Sequence, residues 1–120
     1  MALKKILVVE DSVDLAELTQ RLLEHIGLTS VVATTGMSAL RKVQEEKPDL
    51  ILLDLILPDI SGLKVGVRLK AEVSTRSIPI LAITGMSSGW ETCLENGFDG
   101  YLVKPFSIHE LKREIEKLLR

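Results

Sequence analysis

Five short, almost wholly apolar segments restrict the fold of this chain more than any other feature of its sequence. They are Ile6–Val9, Val31–Ala33, Leu50–Leu53, Ile80–Ile83 and Tyr101–Val103. A strand with one face in water alternates polar and apolar residues, and these segments do not. They are therefore predicted to be strands buried on both faces, as in a parallel sheet that helices cover on each side.

Segments with helical spacing lie between the predicted strands. Apolar residues recur every three or four positions in three groups: Leu15, Leu18, Leu22 and Ile26; Ala39, Leu40 and Val43; and Leu111, Ile115 and Leu118. Gly27 is expected to end the first helix, and Ser107, with Glu110 three residues later, is expected to begin the last. A short fourth helix is predicted around Trp90 to Asn96, between Gly89 and Gly97.

The segment from Leu63 to Leu69 is ambiguous, because its apolar residues alternate as they would in a strand. A crossover between parallel strands needs a dozen or more residues and is usually a helix. The 25 residues from Leu55 to Pro79 fit such a crossover, so we predict a helix here. Strands and helices then alternate in a doubly wound α/β fold with strand order 2-1-3-4-5, in one domain that spans residues 1–120.

Composition excludes several classes of protein. The chain has 15 Lys and Arg against 17 Asp and Glu, a net charge of −2, and no basic block that would follow a phosphate backbone, so nucleic acid is not an expected direct partner. The apolar start is too short for a signal peptide or a membrane span. Cys93 is the only cysteine, so no intramolecular disulfide is possible, and a cytoplasmic location is expected.

Polar residues follow the predicted strands at the points where the strands end. Glu10 and Asp11 follow the first, Asp54 the third, Thr84 the fourth and Lys104 the fifth. In the order 2-1-3-4-5 all of these ends share one edge of the sheet, with Asp54 in the middle. Three carboxylates there would repel one another without a cation, and oxygen ligands suit Mg²⁺. A magnesium site at this edge is therefore predicted.

A simpler interpretation exists for each of these residues alone. Acids just past a strand often cap the next helix, and Asp11 or Ser12 could cap the first helix and have no other role. Polar residues in register after four different apolar segments are much harder to explain by capping.

The ordered set of motifs resembles the receiver domain of two-component response regulators along the whole chain. The motifs that carry the resemblance are Ile6-Leu7-Val8-Val9-Glu10-Asp11, Leu52-Leu53-Asp54-Leu55, Pro58-Asp59-Ile60-Ser61-Gly62, Ile83-Thr84-Gly85 and Tyr101-Leu102-Val103-Lys104-Pro105-Phe106. The resemblance implies a flavodoxin-like (βα)₅ fold and a cytoplasmic phosphoprotein of phosphorelay signal transduction. It implies no enzymatic activity beyond Mg²⁺-assisted phosphorylation and dephosphorylation of the domain itself.

The resemblance also implies a role for each site residue. Asp54 would accept a phosphoryl group from a histidine kinase or a histidine phosphotransfer protein. Mg²⁺ would be held by Glu10, Asp11, Asp54 and the backbone carbonyl of Ile56. Lys104 would neutralise one phosphoryl oxygen and Thr84 would bind another, and the Lys104–Pro105 peptide bond would be cis.

The resemblance further implies a switch and a slow loss of the phosphoryl group. Tyr101 would move with Thr84 and change a protein-binding face made by the fourth helix, fifth strand and fifth helix, where a downstream protein would bind. Ile56 and Met86, two residues after Asp54 and Thr84, would flank the attacking water without orienting it, so dephosphorylation would be slow. The stretch from Thr84 to Lys104 is about two residues shorter than is usual in the family.

Three rival functions share parts of this pattern. A haloacid dehalogenase-type phosphatase or phosphotransferase would need a second aspartate two residues after Asp54, where this chain has Ile56. A flavodoxin-type cofactor site would need a phosphate-binding loop after the first strand, where Glu10 and Asp11 would repel phosphate. A pseudo-receiver, which binds proteins without being phosphorylated, normally lacks one of the key positions, and this chain has all of them.

Overall fold

Five strands alternate with five helices along the chain in the computed structural model, which describes residues 4–85 and 89–119. The strands are β1 (Lys5–Val9), β2 (Thr29–Ala33), β3 (Leu50–Asp54), β4 (Ile80–Thr84) and β5 (Gly100–Val103). The helices are α1 (Val13–His25), α2 (Gly36–Glu46), α3 (Gly62–Ala71), α4 (Trp90–Glu95) and α5 (Ile108–Leu118). Each apolar segment singled out from the sequence is a strand, and the ambiguous segment is helix α3.

The strands form one parallel sheet in the order β2-β1-β3-β4-β5. This order confirms the doubly wound fold expected from the sequence. Parallel pairing sets Asp54 opposite Ile83 and Thr84 opposite Val103, so the carboxyl ends of the central strands lie side by side. The edge at which the polar residues were predicted to meet therefore exists.

Alternate residues of the central strands build two separate cores, one on each face of the sheet. One face packs Leu7, Ile51, Leu53, Ile80 and Ala82 against the helices α2 to α4. The other face packs Ile6, Leu50, Leu52, Leu81 and Ile83 against α1 and α5. Burial on both faces is the physical reason why these strands lack the polar alternation of a half-exposed sheet.

Local signals define the helix ends. The Ser12 side chain accepts a hydrogen bond from the Leu15 N–H at 3.3 Å and so caps α1, and Gly27, with φ +85°, follows the end of that helix. Ser107 and Glu110 form a reciprocal capping box at the start of α5. Among residues 4–85 and 89–119, no helix is long and apolar enough to cross a membrane.

Candidate functional site

The site lies where β1, β3, β4 and β5 end. The backbone ladder continues one residue past three of these strands: Glu10 N donates to Ala33 O at 3.0 Å, Leu55 N to Ile83 O at 3.2 Å, and Lys104 N to Thr84 O at 2.7 Å. The main chain that carries Glu10, Asp54 and Lys104 is thus held by the sheet itself. These side chains start from a rigid frame, which favours a fixed arrangement of charges.

The Lys104 ammonium bridges two carboxylates. Its Nζ lies 2.9 Å from Glu10 Oε1 and 2.9 Å from Asp54 Oδ2. The side chains of Glu10 and Asp54 are each 9% exposed, and that of Lys104 is 29% exposed. Burial alone would lower the pKa of Lys104, but its hydrogen bonds and ion pairs with Asp54 and Glu10 outweigh that effect and raise the pKa. Lys104 is therefore a firmly charged group at the centre of the site.

Glu10 shows the opposite balance. Burial raises the pKa of Glu10 above its ordinary value, although hydrogen bonds from Lys104 and from the Ser12 N–H act to lower it. The charge of Asp54 acts in the same direction as burial. The Glu10 carboxylate therefore carries a residual electrostatic cost that a further cation would relieve.

Glu10, Asp11 and Asp54 come together as a possible cation site. Each offers a carboxylate oxygen, and these oxygens lie within 4.8 Å of one another, with Asp11 exposed to solvent and the other two buried. Mg²⁺ typically binds one or two carboxylates and keeps several water ligands, which the solvent-exposed side of this cluster can supply. The donor set fits the predicted magnesium ion in both charge and chemistry.

The loop after β3 places the backbone of Ile56 beside Asp54. The Ile56 N–H donates to Asp54 Oδ1 at 2.9 Å, and Gly62 N donates to Leu55 O at 2.9 Å across the base of the loop. A Cβ on Gly62 would lie 2.1 Å from the Asp54 carbonyl oxygen, so only glycine allows this closure. Ile56 is 66% exposed, while its backbone N–H contacts Asp54 of the acidic cluster.

Thr84 lies at the same edge of the sheet, and Tyr101 lies inside the neighbouring strand β5. Thr84 is buried at the end of β4, while Tyr101 is half-buried on β5 opposite Ala82. The Tyr101 ring stands 5.4 Å from the Trp90 ring, at 48° to it. Met86, named with Ile56 in the sequence analysis, lies outside the described residues. The Lys104–Pro105 bond is cis, as expected.

The sequence analysis assigned no functional role to two features near the site. Asp59, in the loop after β3, accepts hydrogen bonds from the backbone of α2. Leu15 and Leu18 of α1 are 44% and 52% exposed and, with Phe106, line an apolar cavity of about 210 Å³ that reaches Asp54 and Lys104. The spacing of the two leucines places them on one face of α1. The local sequence does not show whether that face packs on the sheet or lines an open cavity beside the site.

The fold and the acidic edge together define a class: a doubly wound α/β domain with a carboxylate cluster and a lysine at the carboxyl ends of its central strands. A family model described as the response regulator receiver domain matches residues 6–116. The chain belongs to the response regulator receiver domain family.

Individual relatives agree with this assignment. The alkaline phosphatase synthesis transcriptional regulatory protein PhoP of Bacillus subtilis (strain 168) is 39% identical over 119 residues, covering 98% of this chain and 49% of PhoP. The chain spans about half the length of the curated relatives it matches. The Vibrio cholerae chemotaxis protein CheY4 superposes with a TM-score of 0.91 at 28% identity, covering 98% of this chain and all of that one.

A third relative contains a metal. The receiver domain of a sensor histidine kinase from Pseudomonas aeruginosa PAO1 superposes with a TM-score of 0.89 at 30% identity and covers 98% of each chain. That structure has a magnesium ion coordinated in its active-site cleft. Receiver domains are in general non-enzymatic signalling modules that bind Mg²⁺ in their acidic site and have histidine kinases as partners.

Proposed function

We propose that this domain accepts a phosphoryl group on Asp54 from a phosphohistidine of a histidine kinase or a histidine phosphotransfer protein. The observation that carries the proposal is the position of the Asp54 carboxylate at the end of the central strand. Its Oδ2 lies 2.9 Å from the Lys104 ammonium, and the carboxylates of Glu10 and Asp11 lie beside it. Phosphoryl transfer requires such positioning and positive charge around the transferred group more than it requires covalent chemistry from the protein.

The transfer uses the Asp54 carboxylate as a nucleophile. A carboxylate oxygen attacks the phosphorus, a P–O bond forms, the P–N bond to the donor imidazole breaks, and the imidazole leaves with its electron pair and takes a proton from solvent. The product is an acyl phosphate on Asp54. Lys104 neutralises one phosphoryl oxygen, and the Thr84 hydroxyl binds another.

Glu10, Asp11, Asp54 and the Ile56 carbonyl would hold Mg²⁺. When bound, the ion supplies positive charge beside the phosphoryl oxygens and offsets the repulsion among the carboxylates. The backbones of Glu10 and Lys104 are hydrogen-bonded to the sheet edge, so the two charged side chains start from fixed positions.

The partner face is proposed to consist of α4, β5 and α5, where phosphorylation would change the binding of a downstream protein. The weaker alternative is a pseudo-receiver that binds proteins without phosphorylation. The presence of Glu10, Asp11, Asp54, Thr84 and Lys104 at one sheet edge argues against that alternative, since an interaction module has no need of this charge arrangement.

The direct test is to incubate the domain with a small phosphodonor and MgCl₂ and to measure its intact mass. We expect one acyl-phosphate adduct that maps to Asp54 and is absent from Asp54→Asn. Asp49→Asn is the matched control, because Asp49 precedes the same strand at its opposite end and should leave labelling unchanged. Equal labelling of wild type and Asp54→Asn would rule out the proposal.

A further inference from the structure

We infer that Asp59 is a positioning residue for the metal site: it fastens the tip of the β3–α3 loop, residues 55–61, to helix α2, and so holds the Ile56 backbone in place. The inference rests on the proposed function, since it concerns how tightly this chain binds Mg²⁺. Asp59 itself does not belong to the carboxylate cluster of Glu10, Asp11 and Asp54, and its carboxylate bonds to the backbone of α2 instead.

The contact is a two-oxygen clamp on a helix start. Asp59 Oδ1 accepts from Gly36 N at 2.8 Å, and Oδ2 accepts from Met37 N at 2.9 Å. The first N–H groups of a helix have no partner within the helix, and they favour a negative charge. The hydroxyl of Thr35, the local cap of α2, accepts from the Ser38 N–H at 3.1 Å. Asp59 therefore accepts from the first two N–H groups of α2, and Thr35 accepts from the third.

A second contact lies next to the first. Ile60 packs over Gly36 so closely that a Cβ on Gly36 would lie 2.4 Å from Ile60 Cγ1 and 3.0 Å from Val65 Cγ2. The missing side chain of Gly36 thus lets the loop tip approach α2. Asp59 and Ile60 anchor the tip together, one by charged hydrogen bonds and the other by close packing.

The base of the loop is held independently. Leu55 O accepts from Gly62 N at 2.9 Å, and Asp54 Oδ1 accepts from Ile56 N at 2.9 Å. Ile56 thus lies between a fixed base and a fixed tip, three residues before Asp59, and Pro58 stiffens the segment between them. Releasing the tip frees the Ile56 carbonyl from one of its two constraints.

The test compares Mg²⁺ affinity in three variants by amide NMR titration with MgCl₂, below the melting temperature of each. Asp59→Ala removes the clamp. Gly36→Ala pushes Ile60 away and displaces the same loop tip without changing any charge. Asp49→Ala is the control, because Asp49 Oδ2 also accepts from a backbone N–H, that of Lys5 at 2.8 Å, but at the opposite edge of the sheet.

Asp59→Ala and Gly36→Ala should each raise the Mg²⁺ dissociation constant about tenfold, the lower end of what changes outside the ligand set typically cost. Asp49→Ala should bind Mg²⁺ as the wild type does, even if it is equally destabilised. In phosphorylation assays the MgCl₂ concentration at half-maximal rate should rise for Asp59→Ala while the rate at saturating MgCl₂ returns to the wild-type value. Loss of overall stability alone would not produce that split.

The results distinguish failure of the inference from failure of the proposed function. If wild type binds no Mg²⁺, the proposed function itself fails. If wild type binds and Asp59→Ala binds equally well, the positioning role is wrong and the proposed function stands. An effect in Asp59→Ala without one in Gly36→Ala would mean that only the charge of Asp59 matters, which also overturns the inference. If Asp59→Ala does not fold, Asp59→Asn, which keeps one acceptor oxygen, must show weakened binding for the inference to hold.

Discussion

At the scale of single residues, Lys104 forms an ion pair with both Glu10 and Asp54, and no other cation among residues 4–85 and 89–119 pairs with either carboxylate. Two carboxylates that are each 9% exposed depend on this one ammonium for charge balance. A buried charge left without its partner is costly, whereas a bound cation can replace the partner. Stability and metal binding should therefore be linked at this residue.

Lys104→Ala should lower the free energy of unfolding by about 1 to 3 kcal/mol in the absence of Mg²⁺, because it leaves two facing carboxylates unpaired. Added MgCl₂ should stabilise the variant more than it stabilises the wild type, since the ion supplies the missing positive charge. Urea unfolding with and without MgCl₂ measures both effects. Lys117→Ala is the control, as it breaks an exposed pair with Glu114 and should cost little with or without MgCl₂. An equal gain from MgCl₂ in wild type and Lys104→Ala would contradict the linkage.

Ile56 governs a second prediction, on the lifetime of the phosphorylated state. Its exposed aliphatic side chain stands two residues after Asp54 and cannot hold a water molecule by hydrogen bonds. We expect slow loss of the phosphoryl group from wild type and faster loss from Ile56→Asn, whose amide can orient the attacking water. The measurement is the decay of the phosphorylated mass species after the donor is removed. Ile56→Leu should decay as the wild type does, and an unchanged decay in Ile56→Asn would count against the idea.

At the scale of elements, α3 packs unusually close to the turn before β5. A Cβ on Gly66, in the middle of α3, would lie 2.2 Å from two ring atoms of Phe98. Glycine inside a helix costs about 1 kcal/mol relative to alanine, so its presence here needs a reason in the packing. The ring of Phe98, which is almost fully buried, occupies the space that a side chain at position 66 would need.

Gly66→Ala should therefore destabilise the domain even though alanine is the better helix former. Overpacking of a filled core costs about 1 to 3 kcal/mol, and a contact of 2.2 Å favours the upper part of that range, which exceeds the gain of about 1 kcal/mol in helix propensity. Urea unfolding of a double-mutant cycle with Phe98→Leu measures the effect, because the smaller side chain makes room and should turn the cost of Gly66→Ala into a smaller cost or a gain. Additive effects in the cycle would show that the two residues are not coupled.

At the scale of the whole molecule, the sheet separates two helical layers, and the proposed signal must pass along its edge. Asp54, Thr84 and Tyr101 lie on the neighbouring strands β3, β4 and β5, and Tyr101 contacts Trp90 of α4 at a ring separation of 5.4 Å. A phosphoryl group adds about two negative charges beside Thr84. Movement of Thr84 towards it would change the packing beside Tyr101 and shift the population between two conformations of the α4–β5–α5 face.

Beryllofluoride with MgCl₂ imitates the phosphoryl group and provides the test. Amide and side-chain NMR shifts should extend from Asp54 through Thr84 to Tyr101 and the Trp90 indole. Thr84→Ala should keep the shifts at Asp54 and lose those at Trp90, because the variant lacks the hydroxyl that is proposed to couple the strands. Shifts confined to the loops around Asp11, Asp54 and Lys104 in wild type would mean that the domain signals by another route.

The five strands, the helix α3 between β3 and β4, the end of α1, the start of α5 and the strand order were all predictable from the sequence. Each depends on local periodicity, on capping residues or on the geometry of parallel crossovers. The convergence of Glu10, Asp11, Asp54 and Lys104 was also predictable, because strand ends in a parallel sheet share one edge.

Only the tertiary structure shows the features that depend on how separate segments approach one another. The hydrogen bonds of Asp59 to the start of α2 join it to residues that lie 22 and 23 positions earlier in the chain. The packing of Phe98 against Gly66 likewise joins two segments, and neither segment's local sequence indicates this contact. Leu15 and Leu18 have the spacing of a buried stripe, yet they line an open cavity beside the site. Spacing determines which residues share a face, since it is a property of the local backbone. What that face meets depends on distances between distant parts of the chain, which packing of the whole core decides.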